Sequence, residues 1–197
     1  MLRPLKAAGI RTIAVLGNHD YGMGQPDSLP LPVVADRLSQ VLRDEGIDVL
    51  RNRAIPLGEA DVERPRQHRL FVAGVDARFP RRDDAKAALA QMPPSAPRLV
   101  LMHNPRSFLD APRGAAPIAF AGHTHGGQIR LPFLPEWSWI SLARDAPVAA
   151  DGWAPPQFGA AANHLYVNRG IGFSLVPVRL NCRPELTWVT LERTSDS

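Results

Sequence analysis

The chain has 197 residues, 45% hydrophobic and 21% charged, a balance that suits one sizeable core and excludes wholesale disorder. Its formal charge is +4, but every basic residue except Lys6 and Lys86 is an arginine, scattered among Asp and Glu; no stripe suits a phosphate backbone, and nucleic acid is not an expected partner. No apolar run approaches the roughly 18 residues of a membrane-spanning helix, and the single Cys182 leaves no internal disulfide, so the expected setting is the cytoplasm or the cytoplasmic face of a membrane.

In chain order, Leu2 to Gly9 reads as the end of a helix with Gly9 as its stop, and Arg11 to Leu16 as a buried strand. Gly17-Asn18-His19-Asp20 follows at the strand exit. An Asn carbonyl oxygen can ligate a hard or borderline metal, and a neighbouring His can protonate a leaving group; the other reading is a plain Asn/Asp turn. A helix is expected from Asp27 or Ser28 to Gly46, with Val34, Leu38, Val41 and Leu42 as its core face. Ile47 to Leu50, Ala54 to Leu57 and Leu70 to Val75 read as strands, the last two separated by the charged loop Glu59 to Arg69, in which His68 is expected to be solvated. Asp76, at the end of a strand, either borders the site or serves a turn. Arg81 to Gln91 reads as a helix, and Pro93, Pro94 and Pro97 as a rigid link.

Arg98 to Met102 is a further short strand, and His103-Asn104-Pro105 stands at its exit. Ala116 to Phe120 leads in the same way into Gly122-His123-Thr124-His125-Gly126-Gly127-Gln128. Two imidazoles on a loop leaving a strand can be aimed at one point, and imidazole is a usual ligand of Zn, Mn or Fe. His103 alone would read as structural, but three strand exits with histidines in an α/β pattern point to one site at the carboxyl ends of the strands. Gln128 to Leu131 reads as a strand, and Pro132 to Trp139 as a loop rich in apolar rings, either core or a substrate-facing lip. Residues 143 to 161 read as loop, His164 to Asn168 and Glu185 to Leu191 as strands, and Cys182 as a packing residue.

These motifs, in this order, resemble those of the calcineurin-like metallophosphoesterases, and Val167-Asn168-Arg169-Gly170-Ile171-Gly172 with Cys182-Arg183-Pro184-Glu185 looks like the branch that includes membrane-associated enzymes. The resemblance covers nearly all of the chain. It implies the α/β, two-sheet αββα sandwich of metallo-dependent phosphatases, with two divalent metal ions (Mn, Fe or Zn) at the strand ends. Asn18, His103 and His123 match ligands of the second metal, His125 matches a ligand of the first, and His19 matches the residue that protonates the leaving oxygen. The implied reaction is phosphodiester or pyrophosphate hydrolysis. The implied substrate is a phosphate ester or pyrophosphate, lipid-linked as in UDP-2,3-diacylglucosamine of lipid A synthesis, with peripheral contact to the inner face of the membrane.

One departure bears on all of this. The family pattern begins with Asp-x-His and Gly-Asp motifs, and neither occurs in these 197 residues. Without them the site lacks its carboxylates, on which hard and borderline cations lean. The chain is therefore expected to be a single domain over residues 1 to 197, the carboxyl-terminal part of such an enzyme; the alternative is a non-catalytic remnant that binds a single metal or a partner. Either way, Asn18, His103, His123 and His125 should face one cleft with His19 at its rim and His68 outside.

Overall fold

The computed structural model describes residues 3–25, 27–57, 65–138, 149–174 and 176–192. Helix α1 (Arg3–Ala7) ends before Gly9 and leads into β1 (Thr12–Ala14), α2 (Pro32–Asp44), β2 (Ile47–Val49), β3 (Arg53–Pro56), β4 (Phe71–Gly74) and α3 (Ala85–Leu89). Then come β5 (Arg98–Leu101), β6 (Ala119–Ala121), β7 (Arg130–Leu131), β8 (Leu134–Ser138), β9 (Gly152–Trp153) and β10 (Leu165–Val167). The class is α/β, as the motif order implies. A six-stranded mixed sheet runs β3-β4-β5-β6-β10-β9, with β4, β5, β6 and β10 parallel and β3 and β9 antiparallel at the edges. Its inner strands carry Phe71, Ala73, Val100, Ala119, Leu165 and Val167, all buried, against Ala88 and Leu89 of α3 and Phe108. Each Val, Leu or Phe side chain so buried contributes about 1.5–3 kcal/mol.

The second layer is the parallel pair β1–β2, which packs across the end of β4. Gly74 permits this, because a Cβ there would stand 2.3 Å from Leu50 Cβ and 2.9 Å from Val15 Cγ1. Leu16, Tyr21, Met23, Val49 and Ala77 form a second core beneath α2. The strand at Arg11 to Leu16 is present but shorter and only half-buried.

Several expectations need correction. Helix α2 starts at Pro32, later than Asp27 or Ser28, because Pro30 and Pro32 hold the preceding residues out of helical geometry while Pro suits the first helical position. Its buried stripe is Ala35, Leu38, Ser39 and Leu42, whereas Val34 and Val41 are exposed. Small Ala35 and Ser39 let the helix approach the Tyr21 and Val49 layer closely, and that packing selects between two stripes the sequence period allows. Helix α3 covers only Ala85–Leu89, started by Asp84, whose carboxylate accepts from Ala87 N at 2.8 Å.

The ring-rich segment after Leu131 is not a loop: β7 and β8 form an antiparallel hairpin turning at Pro132 and Phe133, and the edge position of β8 tolerates Pro135. Trp139 lies outside the described residues, as do 140–148. Glu185 to Leu191 joins no described strand, since β10 already has β6 and β9 on its two sides. Instead the Glu185 and Thr187 side chains hook onto Tyr166, Arg169 and Asn168, leaving Leu186 and Trp188 exposed. Among the described residues no helix is long and apolar enough to cross a membrane.

Candidate metal centre

The ladders of the parallel strands continue past their ends. Val75 N donates to Leu101 O (2.8 Å), Met102 N to Phe120 O (3.0 Å), Gly122 N to His103 O (3.0 Å) and Asn168 N to Ala121 O (2.8 Å). This brings the exits of β5 and β6 side by side, and with them His103 and His123. From the other layer, β1 delivers a single 3-10 turn, Asn18–Tyr21, in which Gly17 N donates to the Asp20 carboxylate (2.7 Å). Asn18 Nδ2 donates to Met23 O at 2.9 Å, which turns Asn18 Oδ1 the other way, toward His103.

His103 Nε2 lies 3.1 Å from Asn18 Oδ1 and 3.2 Å from His123 Nδ1. Two ligands on one ion with bonds near 2.0–2.1 Å stand about 3.0–3.4 Å apart, so His103 Nε2 is spaced from each of the other two atoms as neighbouring ligands of one divalent ion would be. Gly17 is a condition of this: a Cβ there would meet the His103 ring at 2.8 Å. The His103 pKa is pushed down to about 4, first by burial and then by the nearby charges of His125 and His19, so its lone pair is free at neutral pH. The His123 ring meets Phe79 edge-on at 4.9 Å and His103 at 5.0 Å.

His125 belongs to the same neighbourhood, and its Nδ1 is buried without a hydrogen-bond partner. Its pKa is lowered by burial, then by Arg179 and His19. His19 is exposed on the β1 exit turn, near enough to oppose protonation of both other histidines. His68 is exposed on the turn before β4, at the entrance to that strand rather than its exit. Among the described residues no three His, Cys, Asp or Glu side chains converge as a metal cluster, so the amide of Asn18 is needed to complete a three-donor set. That set is neutral throughout, as the missing carboxylate motifs imply.

Asp76 serves structure. Its carboxylate accepts from Tyr21 Oη (2.8 Å), Arg51 Nε (2.9 Å) and Ala77 N (2.7 Å), and Arg51 Nη2 also donates to Tyr21 Oη at 2.8 Å. Burial and Asp76 raise the Tyr21 pKa, so the phenol stays a donor and pins the turn that carries Asn18 and His19. Sequence reasoning missed Tyr21, Arg51 and Phe79, which are 55, 25 and 3 positions from Asp76 or lie in an unremarkable turn, with no local signal joining them. It also missed the residues beyond β10 that brace the His123–His125 loop.

No family model matches the chain, and no solved structure does. Among curated proteins it is similar to the phosphodiesterase YaeI of Escherichia coli, 33% identical over 187 residues, which span 91% of this chain and 58% of that protein. It is also similar to the uncharacterized metallophosphoesterase YkuE of Bacillus subtilis, 28% identical over 195 residues (99% and 60%). A third relative, the UDP-2,3-diacylglucosamine pyrophosphatase LpxG of Chlamydia trachomatis, is 26% identical over 153 residues (74% and 42%). The motif order and the strand-end site agree with these likenesses, which make the chain similar to proteins named phosphodiesterase and metallophosphoesterase. The chain spans less than two thirds of the length of these relatives.

Proposed function

We propose that this chain serves as a metal-dependent phosphohydrolase acting on a phosphodiester or pyrophosphate, with Asn18, His103 and His123 holding one divalent ion. The observation that carries the reading is the contact of His103 Nε2 with both Asn18 Oδ1 and His123 Nδ1 at ligand-to-ligand spacing. The names of the relatives, phosphodiesterase, metallophosphoesterase and pyrophosphatase, support the reaction class. A divalent ion so held, Mn, Fe or Zn, supplies Lewis-acid stabilisation of the charge that builds on the phosphoryl oxygens. Asn18, His103 and His123 orient that ion without adding negative charge. His125 is the ligand offered to a second ion. His19, exposed on the β1 exit turn, gives its proton to the leaving oxygen. Leu131 and Phe133 at the hairpin turn are exposed, and apolar side chains of this kind, a few residues after the His125 turn in the chain, suit a lipid-linked substrate and peripheral contact with a membrane.

The absence of any carboxylate from the donor set favours one other reading, a chain that binds a single metal without turnover. Hydrolysis of a chromogenic phosphodiester and of a lipid-linked pyrophosphate, with Mn(II) or Zn(II) supplied, separates the two. The hydrolase reading expects turnover that is lost in His123→Ala and lowered about 10²- to 10⁴-fold in His19→Ala. Stoichiometric metal uptake without turnover would establish the single-metal binder, and equal rates on both substrates would remove the lipid preference.

A further inference from the structure

The turn that presents His123 and His125 is held in an unusual backbone conformation. His123 (φ 69°), His125 (53°), Gly126 (63°), Gly127 (75°) and Gln128 (55°) all lie in the left-handed region. Side-chain-bearing residues rarely adopt it, so such a turn persists only where its surroundings dictate it. The surroundings here are residues 169–174 and 176–182. The Gln128 amide donates to Ser174 O (3.0 Å) and Val176 O (2.7 Å) and accepts from Ser174 N (2.7 Å). Gly126 is pressed onto Arg169 and Cys182, since a Cβ there would lie 2.4 Å from Arg169 Cγ and 2.8 Å from Cys182 Sγ.

At the centre stands Arg179. Its Nη1 donates to His125 O (3.0 Å) and Cys182 O (3.3 Å), its Nη2 to Arg169 O (2.8 Å) and Gly170 O (3.3 Å), and its Nε to Gly172 O (2.8 Å). Among the described residues it forms no ion pair with a carboxylate; every one of these bonds goes to a backbone carbonyl. A planar fork of donors can bind carbonyls from several segments at once, which a lysine ammonium, donating from one atom, cannot reproduce.

We propose that Arg179 is a positioning residue for His125: by gripping the His125 carbonyl together with those of Arg169, Gly170, Gly172 and Cys182, it fixes the strained turn and so the place of the His125 imidazole at the metal centre. The metal part of this rests on the function proposed above, while the positioning part stands on geometry alone. The full chain is compared with Arg179→Ala and Arg179→Lys in two measurements. In metal-free protein, imidazole ¹H–¹⁵N correlations should show His125 displaced in both variants, less in Arg179→Lys, with His68 and His164 unmoved. In Co(II) titrations followed by visible absorption, the uptake of the second ion, the one to which His125 is offered, should weaken about 10- to 100-fold in Arg179→Ala, and added guanidinium ion should restore both that uptake and the His125 resonances.

Unmoved His125 resonances would overturn the proposal, as would displaced resonances and weakened Co(II) binding that guanidinium does not rescue, which would mean general loosening. If Arg179→Ala does not fold, Arg179→Lys decides the same question. A native chain that takes up no Co(II) would sink the metal reading of the site, and the metal-free resonances would still decide the role of Arg179.

Discussion

The donor set is assembled by contacts that tolerate very little extra volume. Gly17 is the sharpest case, because the His103 ring lies where a Cβ would be, 2.8 Å away. Gly17→Ala must push the ring off Asn18 Oδ1 or move the β1 exit turn, and overpacking of this kind costs about 1–3 kcal/mol. The expected result is a lower Tm together with a weakened divalent-metal affinity. A variant that loses stability but keeps native metal affinity would show that His103 and Asn18 do not act on the same ion. Gly17 was read from sequence as the first residue of the strand-exit motif Gly17-Asn18-His19-Asp20; its service to a histidine 86 positions later has no sequence signal.

At the scale of elements, α2 and the segment after β10 show how packing chooses among options that a pattern leaves open. In α2 the stripe through Ala35, Leu38, Ser39 and Leu42 faces the core, and the one through Val34 and Val41 faces solvent. Val41→Lys should therefore change stability by no more than about 0.5 kcal/mol, while Leu38→Ala should cost about 2 kcal/mol. Denaturant titration of the two variants checks this, and a loss in Val41→Lys as large as that in Leu38→Ala would return Val41 to the core face expected from sequence.

In the segment after β10, burial opposes the charge of Glu185, but hydrogen bonds from Tyr166, Arg169 and Thr187 outweigh it and hold the pKa down to about 2, from 4.5. The folded state thus favours the carboxylate. Its contribution, up to about 3 kcal/mol, is complete above pH 4.5 and is lost as pH falls toward 2. Stability measured across that interval should fall less steeply in Glu185→Gln than in the native chain; parallel curves would mean that the hooks on Tyr166 and Arg169 contribute nothing.

For the molecule as a whole, the site joins two layers, with Asn18 on the exit of β1 and His103 and His123 on exits of the six-stranded sheet. An ion held across them should stabilise the folded chain. At a free concentration 100 times its Kd the gain is about 2.7 kcal/mol, which for a chain of this size raises Tm by about 5–10 °C. A chelator should remove the increase, and His103→Ala should abolish it. A Tm unaffected by Mn(II), Zn(II) and Co(II) would leave the three donors as a hydrogen-bonded group and nothing more.

By itself the sequence determined the α/β class, most of the strands, and the identity of the histidines and the asparagine at strand exits, because these are local matters: short apolar runs, glycine stops and polar residues placed directly after them. Only the tertiary structure decided which of those residues meet. It put His103 against Asn18 and His123, turned Asp76 away to Tyr21 and Arg51, chose the buried stripe of α2, and set Gln128 and Arg179 as the braces of the His125 turn. The physical reason is distance along the chain: each of these contacts joins backbone segments whose approach depends on close packing and on hydrogen bonds to main-chain carbonyls, and those leave no periodic trace in the order of residues.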